Sequence, residues 1–303
     1  MLNLIDCSTI GSTITAGGDC LAARVTLTQA ADSFGAAPLD ASEIARALAL
    51  AGCRDCAVEA VTVTGSTNED LVARARVRQP SGPLVRAASF QTGGRGRRQR
   101  RWRAAPNHAL LFSAAIPVGV CPDSLPAITL ACGVALADCL ATHGVAVQLK
   151  WPNDVRSNGC KLAGILTELV TDRNAAHTVV IGVGINLHLD DAARSAIEQP
   201  AIALDQLLGG VALQSREQWI GHLGGAIVAA AARFMQDGFA PFYARFNQLL
   251  ESRGKVVDVS QDEVAAEPAI SGRLIEVDRL GRLVIEAEGQ RHRVSVGDVS
   301  VRQ

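Results

Sequence analysis

The sequence predicts an α/β (α+β) fold, in which a large domain built on a β-sheet is followed by a small β domain. Apolar runs typical of strands alternate with helical stretches from residue 58 to residue 250. From Lys255 onward, short Val/Ile/Leu runs are separated by glycine-containing turns. The 303 residues are 48% apolar, which is ample for a core. We expect an N-terminal extension at 1–37, a large domain at 38–253 and a small β-barrel or sheet at 254–303.

The first half of the chain contains a helix, a strand–turn–helix unit and two further strands. Residues 1–37 are rich in Thr, Ser, Gly and Ala without a period, so we assign them no structure. A helix begins after Asp40 or Ser42 as N-cap, with Glu43 placed for a capping box, and ends at Gly52. The remaining predicted elements are a strand at 58–63, a turn at 64–68 that opens a helix at 69–76, and strands at 84–90 and 109–116.

The second half continues this alternation up to residue 250. A helix at 124–143 ends at Gly144, and Pro152 stops the next strand, which leaves Asn153 and Asp154 at a strand end where α/β folds build sites. Lys161 begins an apolar strand and must be paired, exposed or functional. The other predicted elements are strands at 145–149, 160–169 and 178–189, a hairpin at 157–159, helices over 215–250 interrupted near Gly238 and Pro241, and turns at 271–272, 280–281, 288–289 and 296–297.

Residues 89–103 form the most distinctive stretch, because six of the nine residues from Arg95 to Arg103 are arginine. Glycines 93, 94 and 96 free the backbone, and guanidinium groups bind phosphate or carboxylate bidentately, so the stretch suggests a phosphate-handling loop. A solvated basic turn or a nucleic-acid patch are the alternatives. The net charge of −1 argues against a protein whose whole surface binds nucleic acid. Lysine is rare, with three residues against 26 arginines, at positions 150, 161 and 255.

Cysteine spacing and the N-terminus indicate a cytoplasmic protein. Only Cys53 and Cys56 of the eight cysteines have a redox or metal spacing, and a single such pair is weak evidence. Reduced thiols are the simpler interpretation. The first residues lack the pattern of a signal peptide, and no uncharged apolar run is long enough to span a membrane. Neither a membrane location nor an extracellular disulfide framework is therefore expected.

Four separated motifs in one order carry a family resemblance. They are Thr64-Gly65-Ser66-Thr67-Asn68; Gln91-Thr92-Gly93-Gly94-Arg95-Gly96-Arg97-Arg98; Lys150-Trp151-Pro152-Asn153-Asp154; and Gly159-Cys160-Lys161-Leu162-Ala163-Gly164-Ile165-Leu166, followed by Gly182-Val183-Gly184-Ile185-Asn186-Leu187. At these spacings the chain resembles the biotin protein ligases from about residue 58 to its end. The resemblance implies a mixed-sheet catalytic domain at 38–253, an SH3-like barrel at 254–303, and ATP-dependent attachment of biotin to a lysine of a biotin carboxyl carrier domain.

The resemblance also implies roles for individual residues. Lys161, Arg97 and Asp154 would be catalytic, the two cations at the reacting phosphate and Asp154 at the acceptor lysine. Mg²⁺ is the expected metal, with unknown ligands. The residues expected to bind biotin are Ser66, Thr67, Asn68, Gln91, Arg95, Gly96, Arg97 and Lys161, and those expected to bind ATP are Arg97, Arg100, Trp102, Asn153, Lys161 and Asn186. Plain capping, turn and strand roles remain alternatives for Ser66, Thr67, Asn68, Asn153 and Asn186.

A departure in the arginine-rich loop and alternative functions accompany the resemblance. Gln99 stands where the family loop usually has glycine, which would be costly if the position requires a positive φ. Lipoate or octanoate ligases share the architecture, so fold alone does not name the acyl group. A ligase that also represses transcription would need an N-terminal winged helix-turn-helix, which residues 1–57 do not show, so DNA binding is not expected. Members of the family often dimerise, and a homodimer is possible here.

Overall fold

The computed structural model describes residues 34–119, 122, 124–190, 194, 199–209, 214–260 and 270–301. The predicted extension at 1–37 therefore lies outside the described residues except for its last four. The helices are α1 (Ala41–Leu50), α2 (Thr67–Val77), α3 (Ile128–Thr142), α4 (Leu204–Leu208), α5 (Arg216–Asp237) and α6 (Ala240–Leu249). The strands are β1 (Ala57–Thr64), β2 (Leu84–Gln91), β3 (Ala109–Val118), β4 (Gln148–Lys150), β5 (Asp154–Ser157), β6 (Cys160–Thr171), β7 (His177–Asn186), β8 (Val256–Ser260), β9 (Ile270–Val277), β10 (Leu283–Ala287), β11 (Gln290–Val294) and β12 (Asp298–Val301).

A seven-stranded mixed sheet, whose strands lie between Ala57 and Asn186, is the centre of the large domain, as the fold class predicted. Its strand order is β1-β2-β3-β7-β6-β5-β4. β1 and β2 are parallel and are joined through α2, whereas the remaining neighbours are antiparallel. The parallel pair brings the ends of β1 and β2 to the same edge, with Thr64 opposite Gln91. The turn after β1 and the arginine-rich segment after β2 therefore start side by side.

The two faces of this sheet are covered unequally. Helices α1, α3, α5 and α6 pack on one face, where Phe112 of β3 and Phe234 of α5 belong to the main core. On the other face α2 alone contributes helix residues to a small cluster, in which Leu71 packs with Ala115 and Val180. Alternation along β3 accounts for the division, because successive side chains point to opposite faces. The part of the second face beyond α2 is left open for a site.

Most of the predicted helix caps and element ends were confirmed. Asp40 caps α1 by accepting from the backbone N–H groups of Ser42 and Glu43. The carboxylate of Glu43 instead accepts from the Ser215 hydroxyl at 3.0 Å. Gly144, at φ +79°, follows α3, and Gly238 separates α5 from α6. The strand predicted at 145–149 is shorter than expected and begins only at Gln148, where pairing with β5 starts.

The residues Leu125–Thr142 form the one stretch of the described chain that is long and apolar enough to cross a membrane by length and composition. They comprise a short 3₁₀ turn (Leu125–Ala127) and α3. Most of α3 is buried: Leu136 and Leu140 are fully inaccessible and belong to the main core with residues of α5 and the sheet. Core packing therefore accounts for the apolarity of this helix.

Residues 256–260 and 270–301 build a separate antiparallel sheet with the order β11-β10-β9-β8-β12. Its end strands β11 and β12 are not paired with each other in the described residues, so this sheet is open rather than a closed barrel. Turns at 280–281, 288–289 and 296–297 were predicted correctly. The turn predicted at 271–272 was wrong, because both residues lie inside β9. Glycine at position 272 lets β9 and β10 approach closely, because a Cβ there would lie only 2.5 Å from the Glu286 carbonyl oxygen.

Candidate active site

A cavity of about 880 Å³ opens on the face of the large sheet beside α2, and the arginine-rich segment and the C-terminal sheet form its other walls. Every residue that the sequence predicted for the site lies around it. The lining includes Ser66, Thr67, Asn68, Gln91, Arg95, Gly96, Arg97, Arg100, Trp102, Asn153, Asp154, Lys161 and Asn186. The structure thus brings the predicted residues together, while their individual roles stay predictions.

One end of the cavity carries neutral hydroxyl and amide groups. Ser66 caps α2 by accepting from the Glu69 N–H at 3.4 Å, a long contact. The side-chain amide oxygen of Gln91 accepts from both the N–H and the hydroxyl of Thr67, at 2.7 and 3.0 Å. The Thr67 hydroxyl also lies 2.9 Å from the Ser113 hydroxyl on β3. The capping role of Ser66 and a ligand role are compatible, because one hydroxyl can donate and accept.

Asn68 lies next to this network but is held from two sides. Its amide nitrogen donates to the Glu168 carboxylate on β6. Its amide oxygen has no hydrogen-bond donor in the described structure and packs on the backbone of β7, where a Cβ at Gly182 would be only 2.8 Å away. The absence of a side chain at position 182 is therefore what gives Asn68 its place.

The arginine-rich segment folds back on itself as a small hairpin, called here the arginine hairpin (residues 94–102). The Trp102 N–H donates to the Gly94 carbonyl at 2.9 Å, and the Gly96 N–H donates to the Arg100 carbonyl at 2.7 Å. At its tip, Arg98 and Gln99 both have positive φ, +54° and +61°. The position where the family usually has glycine is thus one where glycine would be unstrained, and Gln99 occupies it at a cost.

The hairpin is attached to both sheets by ion pairs. Arg95 contacts Glu69 in the first turn of α2 at 2.7 Å. On the other side, Asp298 of β12 receives three arginines, with Arg97, Arg98 and Arg100 at 3.2, 3.1 and 3.2 Å. Burial lowers the pKa of Arg97, and the Asp298 carboxylate opposes that change. An acidic side chain from the C-terminal sheet therefore partly neutralises the segment that the sequence predicts to hold phosphate.

Trp102 ends the hairpin and lies flat on the sheet. A Cβ at Gly184 would be 2.6 Å from its indole Cε2, and one at Gly164 would be 3.3 Å from Cζ3. The two glycines of neighbouring strands thus form a shelf for the ring. The indole N–H has no acceptor in the described structure. The Lys161 ammonium lies 5.9 Å from the ring centroid, within cation–π range.

Lys161 and Asp154 form the charged pair of the site. The Lys161 Nζ is 2.7 Å from Asp154 Oδ1, and both side chains are largely buried. Asp154 follows the turn of Trp151 and Pro152, whose peptide bond is cis, and its Cα pairs with Gly164 on β6. The lysine that sequence reasoning required to be paired, exposed or functional is paired, and it faces the cavity.

The side chains of the two asparagines near this pair donate hydrogen bonds to backbone carbonyl groups. The Asn153 amide donates to the Ile165 carbonyl at 3.0 Å. The Asn186 amide nitrogen donates to the carbonyls of Lys161 and Ile202, at 3.2 and 3.1 Å. The structural roles that the sequence left open therefore exist. In both residues the amide oxygen remains as the group that a ligand could use.

Five further lining residues shape the site although the sequence did not assign them to it. Ser113 and Asp298 carried weak signals, a hydroxyl inside an apolar strand and an acid after a glycine turn. Lys150 was noted for its rarity but given no role. Glycines 182 and 184 were correctly separated from a dinucleotide motif, but their function as space for Asn68 and Trp102 depends on packing that sequence does not show.

The cysteine pair and metal clusters contribute no further site in the described residues. Burial raises the pKa of Cys56 to about 11, with Cys53 adding to the effect, so the thiol stays protonated and unreactive at neutral pH. The cysteines of the described residues are free. No group of three or more His, Cys, Asp or Glu side chains in the described ranges is placed to hold a metal ion.

Comparisons with known proteins agree with this geometry. Residues 60–186 match the Biotin/lipoate A/B protein ligase family. The biotin–[acetyl-CoA-carboxylase] ligase of Mycobacterium tuberculosis is 32% identical over 269 residues, covering 86% of this chain and 95% of the relative. The bifunctional ligase/repressor BirA of Escherichia coli is 30% identical over 246 residues, covering 81% of this chain and 74% of that protein.

A solved structure supports the fold independently. The biotin protein ligase of Aquifex aeolicus, in complex with biotin and ATP, superposes with a TM-score of 0.64 at 23% identity, covering 82% of this chain and 99% of that chain. At this identity the likeness concerns architecture alone. The identity to the M. tuberculosis relative, which extends over nearly its whole length, is what establishes kinship. The chain belongs to the biotin protein ligase family.

Proposed function

We propose that this protein activates biotin with ATP to biotinyl-5′-AMP and transfers the biotin to a lysine of a biotin carboxyl carrier domain. One observation carries the proposal: a single cavity has a neutral hydroxyl and amide end and a strongly cationic end. The M. tuberculosis relative, named as a biotin–[acetyl-CoA-carboxylase] ligase, supports biotin as the acyl substrate, and the A. aeolicus ligase was solved with biotin and ATP. We expect the reaction in the cytoplasm, where ATP is available.

The neutral end suits the ureido ring of biotin. Thr67 donates its hydroxyl hydrogen to Gln91 and contacts the Ser113 hydroxyl, whose remaining lone pairs can accept from a ligand N–H group. Ser66 adds a further hydroxyl, and Asn68 closes the side next to Gly182. A ureido group brings two N–H donors and one carbonyl acceptor, so a set of short polar groups in a restricted slot matches it.

The cationic end suits the first reaction. The biotin carboxylate oxygen attacks the α-phosphorus, the bond from that phosphorus to the bridging oxygen breaks, and its electron pair leaves with pyrophosphate. Two anions must approach each other in this step, and Lys161 and Arg97 lie where positive charge would stabilise them. Arg95, Gly96 and Arg100 belong to the hairpin that would enclose the adenylate. No proton needs to move in this step.

The nucleotide would bind beside Trp102. Its indole offers a flat apolar surface for adenine, and the amide oxygens of Asn186 and Asn153 can accept from the adenine amino group or a ribose hydroxyl. Mg²⁺ would enter bound to the phosphates of ATP. The acids that line the described cavity are Asp154 and Asp298, and Asp298 is already bound by three arginines. Asp154 would hold the Mg²⁺, and the ion would screen the triphosphate charge.

Transfer requires a neutral acceptor lysine. Asp154 can attract the incoming ammonium group and accept its proton, after which the amine attacks the acyl carbon of the anhydride and AMP leaves. Its bond to Lys161 keeps the carboxylate oriented toward the reacting end of the cavity. The carrier domain would therefore present its lysine near the turn of residues 150–154.

The family description includes lipoate ligases, so the acyl substrate has to be tested. A lipoyl dithiolane ring has no donors or acceptors for Thr67, Gln91 and Ser113, and burying it there would leave polar groups unpaired. We expect ATP–pyrophosphate exchange with biotin and none with lipoate or octanoate, and labelled biotin on a purified carrier domain. Exchange with lipoate but not biotin would overturn the proposal.

A further inference from the structure

Besides Lys161 and Arg97, the cationic end of the cavity contains Lys150, the last residue of β4. The chain contains only three lysines, and two of them, Lys150 and Lys161, line the cavity. Arginine serves elsewhere in the chain, including throughout the hairpin. A lysine retained at such a position indicates a need for a compact point charge on a flexible stem, since Arg can usually replace Lys on a surface.

Among the residues that the structure describes, Lys150 has no ion-pair partner of its own. Its Cα pairs with Asp154 across β4 and β5, but the Asp154 carboxylate is bound to Lys161 at 2.7 Å. The other nearby acid, Glu251, is bound to Arg156 at 3.2 Å. In the described structure no ion pair or hydrogen bond reaches the Lys150 ammonium. The two nearby acids thus form ion pairs with other cations, and the charge of Lys150 is not neutralised by either of them.

A half-buried, unmatched cation facing a cavity is unfavourable until an anion arrives. Burial lowers the pKa of Lys150, and the charges of Arg156 and Lys161 act in the same direction, while Asp154 and Glu251 oppose the change. Lys161 and Arg97 already serve the carboxylate and the α-phosphate in the proposed reaction. ATP brings further negative charge on its β- and γ-phosphates, and this charge increases on the leaving group as the α–β bridge breaks.

We propose that Lys150 binds the β- and γ-phosphates of ATP and stabilises pyrophosphate as it leaves. The inference rests on the proposed adenylation. The bond formed is carboxylate oxygen to α-phosphorus, the bond broken is α-phosphorus to the bridging oxygen, and the electron pair goes to pyrophosphate. The Lys150 ammonium keeps its proton throughout. Lys150 then acts in the first half-reaction and has no part in transfer from the adenylate to the carrier.

Two half-reactions measured separately test this assignment. The variants are Lys150→Met, which keeps the stem and removes the charge, and Lys150→Arg, with Lys255→Met as control. Lys255 is the third lysine, exposed and outside the cavity. For Lys150→Met we expect kcat/KM for pyrophosphate in biotin-dependent exchange to fall about thirty-fold, as for loss of one charged hydrogen bond. Lys150→Arg should recover part of this activity, and Lys255→Met should match the wild type.

Transfer of biotin from preformed biotinyl-5′-AMP to the carrier in a single turnover should change less than about two-fold in Lys150→Met. An equal loss in both half-reactions would overturn the assignment, whether it arises from misfolding or from a role in transfer. Unchanged exchange would overturn it as well. Wild-type protein without biotin-dependent exchange would contradict the proposed function itself, which separates the two failures.

Discussion

Asp298 Oδ1 lies 3.2 Å from Arg97 Nη1, although 201 residues separate the two in the chain. The carboxylate belongs to the C-terminal sheet and the guanidinium to the arginine hairpin, and Arg98 and Arg100 reach the same acid. Without it, the clustered arginines of the hairpin would face one another with less compensation. Asp298 therefore connects the small sheet to the cationic end of the cavity.

We predict that Asp298→Asn weakens ATP binding. Loss of the shared acid lets the arginines separate, so the KM for ATP should rise about five-fold, the equivalent of roughly 1 kcal/mol for partly exposed ion pairs. The KM for biotin should change less. Glu286→Gln is the matched control, since it removes one exposed acid from the same sheet. An unchanged KM for ATP in Asp298→Asn would show that the contact is incidental.

Alanine substitutions at the two glycines of β7 should affect the two substrates differently. A Cβ at Gly182 would strike Asn68 and one at Gly184 would strike Trp102, at 2.8 and 2.6 Å. Gly182→Ala should raise mainly the KM for biotin, and Gly184→Ala mainly the KM for ATP, each about ten-fold for a displaced contact of roughly 1.4 kcal/mol. Steady-state exchange assays measure both. Equal effects of both substitutions on both substrates would refute the division.

Glycine at position 99 should favour the folded conformation of the arginine hairpin. Gln99 has φ +61°, a conformation that costs a side-chain-bearing residue about 1–2 kcal/mol and glycine far less. We expect biotinyl-5′-AMP to dissociate about three-fold more slowly from Gln99→Gly, since part of the gain is offset by glycine's greater freedom in an open loop. Stopped-flow dissociation rates measure it. Gln99→Ala retains the strain and should resemble the wild type; a slower rate in that variant would implicate the glutamine side chain instead.

Residues 34–37 should stabilise the large domain. The Ala37 carbonyl accepts from Ser89 and Arg216, its N–H donates to Asn107, and the Phe34 ring contacts Phe90. A chain starting at residue 38 should be about 2 kcal/mol less stable than one starting at residue 34, from a few partly exposed hydrogen bonds. Thermal unfolding should show a midpoint about 5 °C lower. Identical midpoints would mean that these contacts contribute nothing to stability.

Stability should also depend on His222. Burial, and then the neighbouring His143, lower the pKa of His222 from its usual value of 6.5. The unfolded chain binds a proton there near pH 6.5 while the folded chain does not, so stability falls as the pH drops below that value. His222→Gln should lose less stability than the wild type between pH 7.5 and pH 5.5 in urea unfolding. The Gln214 contact of His222 does not titrate, so parallel pH dependence in the two proteins would contradict the assignment.

The sequence predicted the elements near the site well because they depend on local signals. Gly144 follows the end of α3 and Pro152 lies just beyond the end of β4, as expected. Each of the four sequence motifs contributes residues to the lining of one cavity. Gly272 was misassigned as a turn, since a glycine that admits a neighbouring strand resembles one that turns the chain. The partners of Asn186 and Arg97 come from distant segments, at Ile202 and Asp298. Such pairings depend on how the sheets pack, which periodicity and spacing do not encode.

Two contacts join the small sheet to segments that line the cavity. The Trp151 indole donates to the Gly281 carbonyl at 3.0 Å, and Asp298 contacts the hairpin from the same side. These two contacts tie the small sheet to the Lys150–Asp154 turn and to the arginines at once. A C-terminal segment transplanted from a relative would therefore have to match this chain's tryptophan turn and its arginines together, so the two parts are exchangeable only as a pair.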